Sequence, residues 1–162
     1  MTLEGRILSP RGFVRGRLHF SERILAVEEA PVEGPYILPG FLDLHVHGGL
    51  GADAMEGKEA VLRMARFHLQ HGTTGLLATT VTAPPEDLRR ALSGIAEAMA
   101  ECEALLGAHL EGPFLSPKRL GAQPALPQKP DPAVMEDLLA LAPVRVVTLA
   151  PELPGALELV RL

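Results

Sequence analysis

The side chains best suited to chemistry lie in Pro39-Gly40-Phe41-Leu42-Asp43-Leu44-His45-Val46-His47-Gly48-Gly49. This run reads as a short buried β-strand, opened by Pro39-Gly40 and released by Gly48-Gly49. Strand side chains alternate with period two, so Asp43, His45 and His47 are expected on one face and Leu42, Leu44 and Val46 on the other. Two imidazoles at i and i+2 near a strand end are placed to hold a metal ion. The competing reading is a pair of partly exposed strand-end histidines.

A second strand-like run, Leu105 to Leu110, delivers Glu111 at its C-terminal end. Two neutral imidazoles and a carboxylate make a three-ligand set of the kind catalytic zinc uses, with a position left for water. The same set suits Fe(II). An ion so held brings a bound water toward ionisation at neutral pH and polarises a carbonyl. Glu111 could instead act as a general base, or be a structural carboxylate turned toward a helix. His109 lies two residues earlier and therefore on the same side of the pleat. It is either a hydrogen-bonding partner of a ligand or a substrate contact. His19 reads as a surface strand residue, and His68 and His71 as helix-end residues complementing the helix dipole.

The elements that must position these groups change rhythm along the chain. Residues 1–37 hold short strand-like runs, Leu3–Leu8, Phe13–Phe20 and Ile24–Val27, separated by turns such as Ser9-Pro10-Arg11-Gly12. They form part of a small antiparallel sheet, too little to bury a core alone. Residues 38–162 alternate strand and helix. The strand at residues 41–47 is followed by a helix over about Gly57 to His71, with Val61, Leu62, Ala65 and Leu69 inward. The nearly continuous apolar run Thr74 to Val81 is a covered parallel strand that finishes in threonines. Pro84-Pro85-Glu86-Asp87 opens a helix to about Glu103. A proline-rich loop over residues 112–130 follows the third strand. Asp131-Pro132 then starts a third helix, a fourth strand spans Val144 to Leu149, and a further helix begins near Pro154. Four β-α units in series predict an α/β fold with a parallel sheet and right-handed crossovers. Functional groups gather at the C-terminal ends of such strands, where His45, His47 and Glu111 all fall.

Composition narrows the classes further. The chain has 162 residues, a formal net charge of −5 and 47% hydrophobic residues. No apolar run reaches the roughly 20 residues that span a bilayer, so no membrane partner is expected. The N-terminus lacks the layout of a secretory signal, and the acidic balance argues against a nucleic-acid partner. Cys102 is a lone cysteine and reads as a small buried hydrophobe, which points to a cytoplasmic protein. Arginine far outnumbers lysine and asparagine is absent, a bias that suits a thermophilic source and that genomic base composition could equally give.

Residues 39–48, the stretch Thr79-Thr80-Val81-Thr82-Ala83-Pro84 and the stretch Gly107-Ala108-His109-Leu110-Glu111-Gly112-Pro113-Phe114-Leu115-Ser116-Pro117-Lys118-Arg119-Leu120-Gly121-Ala122-Gln123 carry a resemblance. Together they resemble the N-acetylglucosamine-6-phosphate deacetylases of the amidohydrolase superfamily. The resemblance implies the N-terminal half of a TIM-type (β/α)8 metallo-dependent hydrolase barrel, with about four β-α units. Residues 1–37 would be strands of a β-sandwich domain, and residues 38–162 the partial barrel. It also implies that His45, His47 and Glu111 hold a divalent metal ion, zinc or Fe(II), and that Ala122 and Gln123 contact a sugar phosphate. The implied reaction is hydrolysis of the acetamide of N-acetylglucosamine 6-phosphate to glucosamine 6-phosphate and acetate.

The family's acid/base aspartate belongs to the last strand of its barrel, so it is expected beyond the chain end. Asp131 and Asp137 lie in or beside the third helix and cannot take its place. Later histidine ligands and the phosphate-binding residues are expected there too. Half a barrel leaves its first and fourth strands with open edges, so a homo-oligomer or association with a complementary C-terminal half is expected. The competing readings are another amidohydrolase acting on an N-acyl amino acid or cyclic amide, a non-catalytic metal-binding or assembly fragment, and an α/β domain with no site.

Overall fold

Short apolar runs broken by turn residues fold the first forty residues into a single sheet. The computed structural model describes all 162 residues, in two units, Met1–Gly40 and Phe41–Leu162. In the first unit β1 (Thr2–Ser9) and β2 (Gly12–Phe20) pair antiparallel from Thr2↔His19 to Ser9↔Gly12. Ser9 closes the turn, its hydroxyl donating to the Gly12 carbonyl at 2.7 Å and accepting from Arg11 N–H at 3.2 Å. β3 (Ile24–Glu29) lies beyond β2, and β4 (Tyr36–Ile37) runs parallel to β1, giving the order β3-β2-β1-β4. A two-residue strand has no periodicity to read, which is why β4 is not foreseen from sequence. Ile7 is the buried apolar residue of this sheet, while Phe13, Ile24 and Leu25 stay exposed.

The second unit is built on four parallel strands in the order β10-β9-β8-β5. They are β5 (Phe41–Val46), β8 (Thr73–Thr79), β9 (Leu105–Glu111) and β10 (Val144–Thr148). Between β5 and the first helix lies a hairpin of β6 (Gly48–Gly49) and β7 (Ala52–Asp53), then one 3-10 turn over Ala54–Glu56. The helices are α1 (Lys58–Gln70), α2 (Pro85–Met99), α3 (Pro132–Leu139) and the short α4 (Ala156–Leu159). Their starts follow from local chemistry. Pro85 occupies the first turn of α2 with Glu86 and Asp87, and Asp131 caps α3 by accepting from Ala133 and Val134 N–H. The second helix ends at Met99, four residues before the expected Glu103, because Ala100 and Glu101 turn back onto Glu97 and Ala98.

One face of this sheet is covered. Leu76 and Ala78 of β8 and Ala108 and Leu110 of β9 pack against Val61, Leu62 and Met64 of α1 and Leu88, Leu92 and Ile95 of α2. Leu69 of α1, expected inward, is exposed, since it lies in the last turn beyond this contact. The opposite face is open. A Cβ at Gly75 would meet Leu42 at 2.6 Å and Leu106 at 2.8 Å, so these two share a face, and they are 68% and 39% exposed.

That open face corrects the reading of β5 as a buried strand with Leu42, Leu44 and Val46 on one side. Leu42 and Leu44 are exposed, whereas Val46 is buried in the helix-covered core. Between the pairs Asp43↔Leu76 and Val46↔Ala78, β5 spends one residue more than β8. This bulge, which takes in Leu44 and His45, resets the two-residue alternation at the first of the histidines. Asp43 stabilises it locally by accepting from His45 N–H at 3.1 Å. No helix is long and apolar enough to cross a membrane.

Candidate metal centre

The parallel arrangement carries the C-terminal ends of β5 and β9 to the same rim of the sheet, and with them three ligand-type side chains. Ligand atoms of His45, His47 and Glu111 all lie within 4.8 Å of one another. His45 Nε2 is 3.0 Å from His47 Nε2, and Glu111 Oε2 is 3.1 Å from His47 Nε2 and 3.4 Å from His45 Nε2. Three N or O atoms each about 2.1 Å from one ion, at angles between octahedral and tetrahedral, stand about 3.0–3.4 Å apart. The three observed edges fit that triangle.

The donor chemistry fits as well. His47 Nδ1 lies 3.1 Å from the Thr79 carbonyl oxygen. A carbonyl only accepts, so Nδ1 carries a hydrogen, and the tautomer this contact selects has its Nε2 lone pair toward the cluster. Glu111 Oε2 is buried, yet it accepts a well-formed hydrogen bond from neither histidine. A buried carboxylate oxygen without a donor is costly, and a cation between the three side chains would satisfy it.

The end of β8 holds both ligand-bearing strands. Thr79, Thr80 and Thr82 are fully buried. The Thr79 hydroxyl accepts from Val46 N–H at 2.9 Å and donates to the Leu77 carbonyl at 3.3 Å. The Thr80 hydroxyl accepts from Glu111 N–H at 3.3 Å. Thr82 N–H donates to Gln123 Oε1 at 2.7 Å, and its hydroxyl has no partner. Gly112, at φ +76°, lets the chain pass this hydroxyl, which any Cβ at that position would overlap.

His109 is resolved by its partners. Its Nδ1 donates to the Leu44 carbonyl at 3.0 Å, and Nε2 accepts from the Thr148 hydroxyl at 2.8 Å. Both ring nitrogens are thus engaged by the protein, and the ring sits edge-on to His45 with centroids 4.9 Å apart. It braces β5 and β10 across the sheet. Burial pushes its pKa below the ordinary histidine value, only partly offset by the bond to Leu44, so the ring is neutral at neutral pH.

Of the remaining sequence candidates, Gln123 is half-buried and Ala122 exposed in the loop after Gly112. Neither hydrogen-bonds to the three clustered side chains, and Gln123 instead straps the loop to Thr82. Gln128 adds a second strap, donating to the Ala83 carbonyl at 3.0 Å. His68 does more than end a helix: its Nε2 lies 3.0 Å from the Gly48 carbonyl and fixes the hairpin that follows His47. The signal for the threonines was present as the polar finish of an apolar strand. The His68 contact had no local signal.

Comparison with known proteins identifies the family of the chain. Residues 36–159 match the model of the amidohydrolase family. The chain is similar to the human N-acetylglucosamine-6-phosphate deacetylase, 38% identical over 97% of this chain and 40% of the human protein. It is 40% identical to the Bacillus subtilis enzyme of the same name, over 82% of this chain and 36% of that protein. The crystal structure of N-acetyl-D-glucosamine-6-phosphate deacetylase from Mycobacterium smegmatis superposes with a TM-score of 0.86 at 38% identity, covering 98% of this chain and 49% of the other. The chain therefore spans well under half the length of the two sequence relatives and about half of the mycobacterial chain, and its parallel β-α units are a partial (β/α) barrel of that type.

Proposed function

The chain belongs to the amidohydrolase family, and we propose that it forms the metal-holding half of a deacetylase for N-acetylglucosamine 6-phosphate. The reaction would release acetate and glucosamine 6-phosphate. The observation that carries this reading is the triangle of His45, His47 and Glu111 around a buried, donorless carboxylate oxygen. A divalent ion held there, zinc or Fe(II), would supply a Lewis acid for the acetamide carbonyl and activate a water as the nucleophile. The protein's part is to present lone pairs. Thr79 directs His47 Nε2 inward, and Thr80 anchors the backbone of Glu111. Gln123 uses Oε1 on Thr82, which leaves its amide N–H groups to donate to a sugar hydroxyl beside the Ala122 backbone.

On this reading Met1–Gly40 supplies strands of a small β-domain and Phe41–Leu162 the partial barrel. The acid/base group and further ligands come from a complementary half or a second copy, and the site works in the cytoplasm. A second reading, metal binding without turnover by these 162 residues, is favoured by the engagement of the other nearby imidazoles. His109 spends both ring nitrogens on the protein, and His68 spends its Nε2.

The test is acetate release from N-acetylglucosamine 6-phosphate by the chain reconstituted with zinc or ferrous ion. N-acetyl amino acids serve as competing substrates and His45→Ala/His47→Ala as the control. Turnover of the sugar phosphate that the control loses supports the deacetylase. Preferential turnover of N-acetyl amino acids overturns the substrate assignment. Metal binding lost in the control, with no turnover of either substrate, selects the second reading.

A further inference from the structure

We infer that Thr79 is a positioning residue for the histidine pair, setting the metal affinity of the site through two bonds of its own. The inference rests on the metal reading of His45, His47 and Glu111 and goes beyond it. Thr79 is fully buried at the end of β8. Its hydroxyl accepts from the N–H of Val46, the residue between the two histidines, at 2.9 Å. Its carbonyl accepts from His47 Nδ1 at 3.1 Å. One residue thereby fixes both the path of the backbone between the ligands and the tautomer of one of them.

The bulge in β5 explains why such a clamp is needed. The extra residue between Asp43 and Val46 interrupts the regular ladder to β8 where the strand turns its imidazoles toward Glu111. Val46 N–H is buried there and has to find an acceptor outside the ladder. The Thr79 hydroxyl is that acceptor. Held by it, Val46 anchors in the covered core, and the residues on either side project to the opposite face. Partners of this kind orient metal-ligating histidines, and their removal typically weakens metal binding about 10–100-fold.

The experiment is zinc titration of the whole chain as parent, Thr79→Val and Thr79→Ser, with circular dichroism to follow folding. Valine keeps the shape and removes the acceptor, whereas serine keeps the acceptor and trims a methyl. The expected result is a zinc Kd raised about 10–100-fold in Thr79→Val and within about twofold of the parent in Thr79→Ser. An unchanged Kd in Thr79→Val overturns the inference. So does an equal loss in Thr79→Ser, which would assign the effect to packing.

If Thr79→Val does not fold, long-range 15N–1H correlation on the metal-free parent at mildly alkaline pH decides. A neutral His47 protonated at Nδ1 supports the clamp, and protonation at Nε2 overturns it. A parent that binds no zinc would sink the metal reading instead, and the tautomer would still decide whether Thr79 holds His47.

Discussion

Replacing Gly112 with alanine puts the connection between β9 and the strapped loop under a load that can be apportioned. Gly112 is buried, at φ +76°, immediately after Glu111, and its N–H donates to the Thr148 carbonyl at 2.9 Å. An L side chain in the left-handed region costs about 1–2 kcal/mol. The new Cβ would also overlap the Thr82 hydroxyl, an overpacking term of about 1–3 kcal/mol. Gly112→Ala should therefore lose about 2–5 kcal/mol, a large share of a stability that is typically about 5–15 kcal/mol. The two terms separate because only one of them involves Thr82. Thr82→Ala removes a buried hydroxyl with no partner, recovering about 1–3 kcal/mol of desolvation. It also gives up about 0.8 kcal/mol of buried methyl, so on its own it should stabilise by about 0–2 kcal/mol. In Thr82→Ala/Gly112→Ala the overlap is gone and the backbone strain remains. Beyond the effect of Thr82→Ala alone, the double variant should recover about 1–3 kcal/mol relative to Gly112→Ala, a coupling typical of residues in direct contact. Urea unfolding followed by circular dichroism reads all four proteins, with midpoints compared at constant m. The reasoning fails if Gly112→Ala unfolds at the parent's midpoint, or if adding Thr82→Ala restores no more than it gives the parent.

Three further outcomes are expected. Asp131→Ala removes the acceptor for two N–H groups at the start of α3 and should cost about 1 kcal/mol in the same urea assay; an unchanged midpoint would mean the cap is not made in solution. Gln123→Leu strands Thr82 N–H and should cost about 1 kcal/mol, and normal stability in that variant would show that the loop is held by other contacts. His109 is held neutral by burial, its folded pKa lying below the ordinary value of 6.5. Below pH 6.5 the unfolded chain takes up a proton at His109 that the folded chain refuses, so this contribution is complete above pH 6.5 and is lost as pH falls toward the folded pKa. With metal chelated, the midpoint of the parent should drop more steeply than that of His109→Gln below pH 6.5, and parallel profiles would refute the assignment.

The parts of this fold that could be read from sequence are those whose causes are local. The starts of α2 and α3 are written in Pro85, Glu86 and Asp131, and β8 in an unbroken apolar run. The hairpin of β6 and β7 could not be read, because strands of two residues carry no period. The same division runs through the site. His45, His47 and Glu111 could be brought together on paper because parallel strands deliver their C-terminal ends to one rim, and that rule needs no register. What makes the side chains meet does need it. Strict alternation would put Leu42, Leu44 and Val46 on one face together, and the bulge between Asp43 and Val46 removes that constraint. The bulge is held by bonds between residues far apart in the chain. Thr79 reaches Val46 across 33 positions, and His109 reaches the Leu44 carbonyl across 65. Nothing in the local spacing of Leu44, Val46, Thr79 or His109 predicts those pairings. A substitution that removes the Thr79 acceptor or the His109 donor should therefore disturb the metal site while leaving the elements themselves intact, whereas one at Asp131 should weaken a helix and leave the site alone.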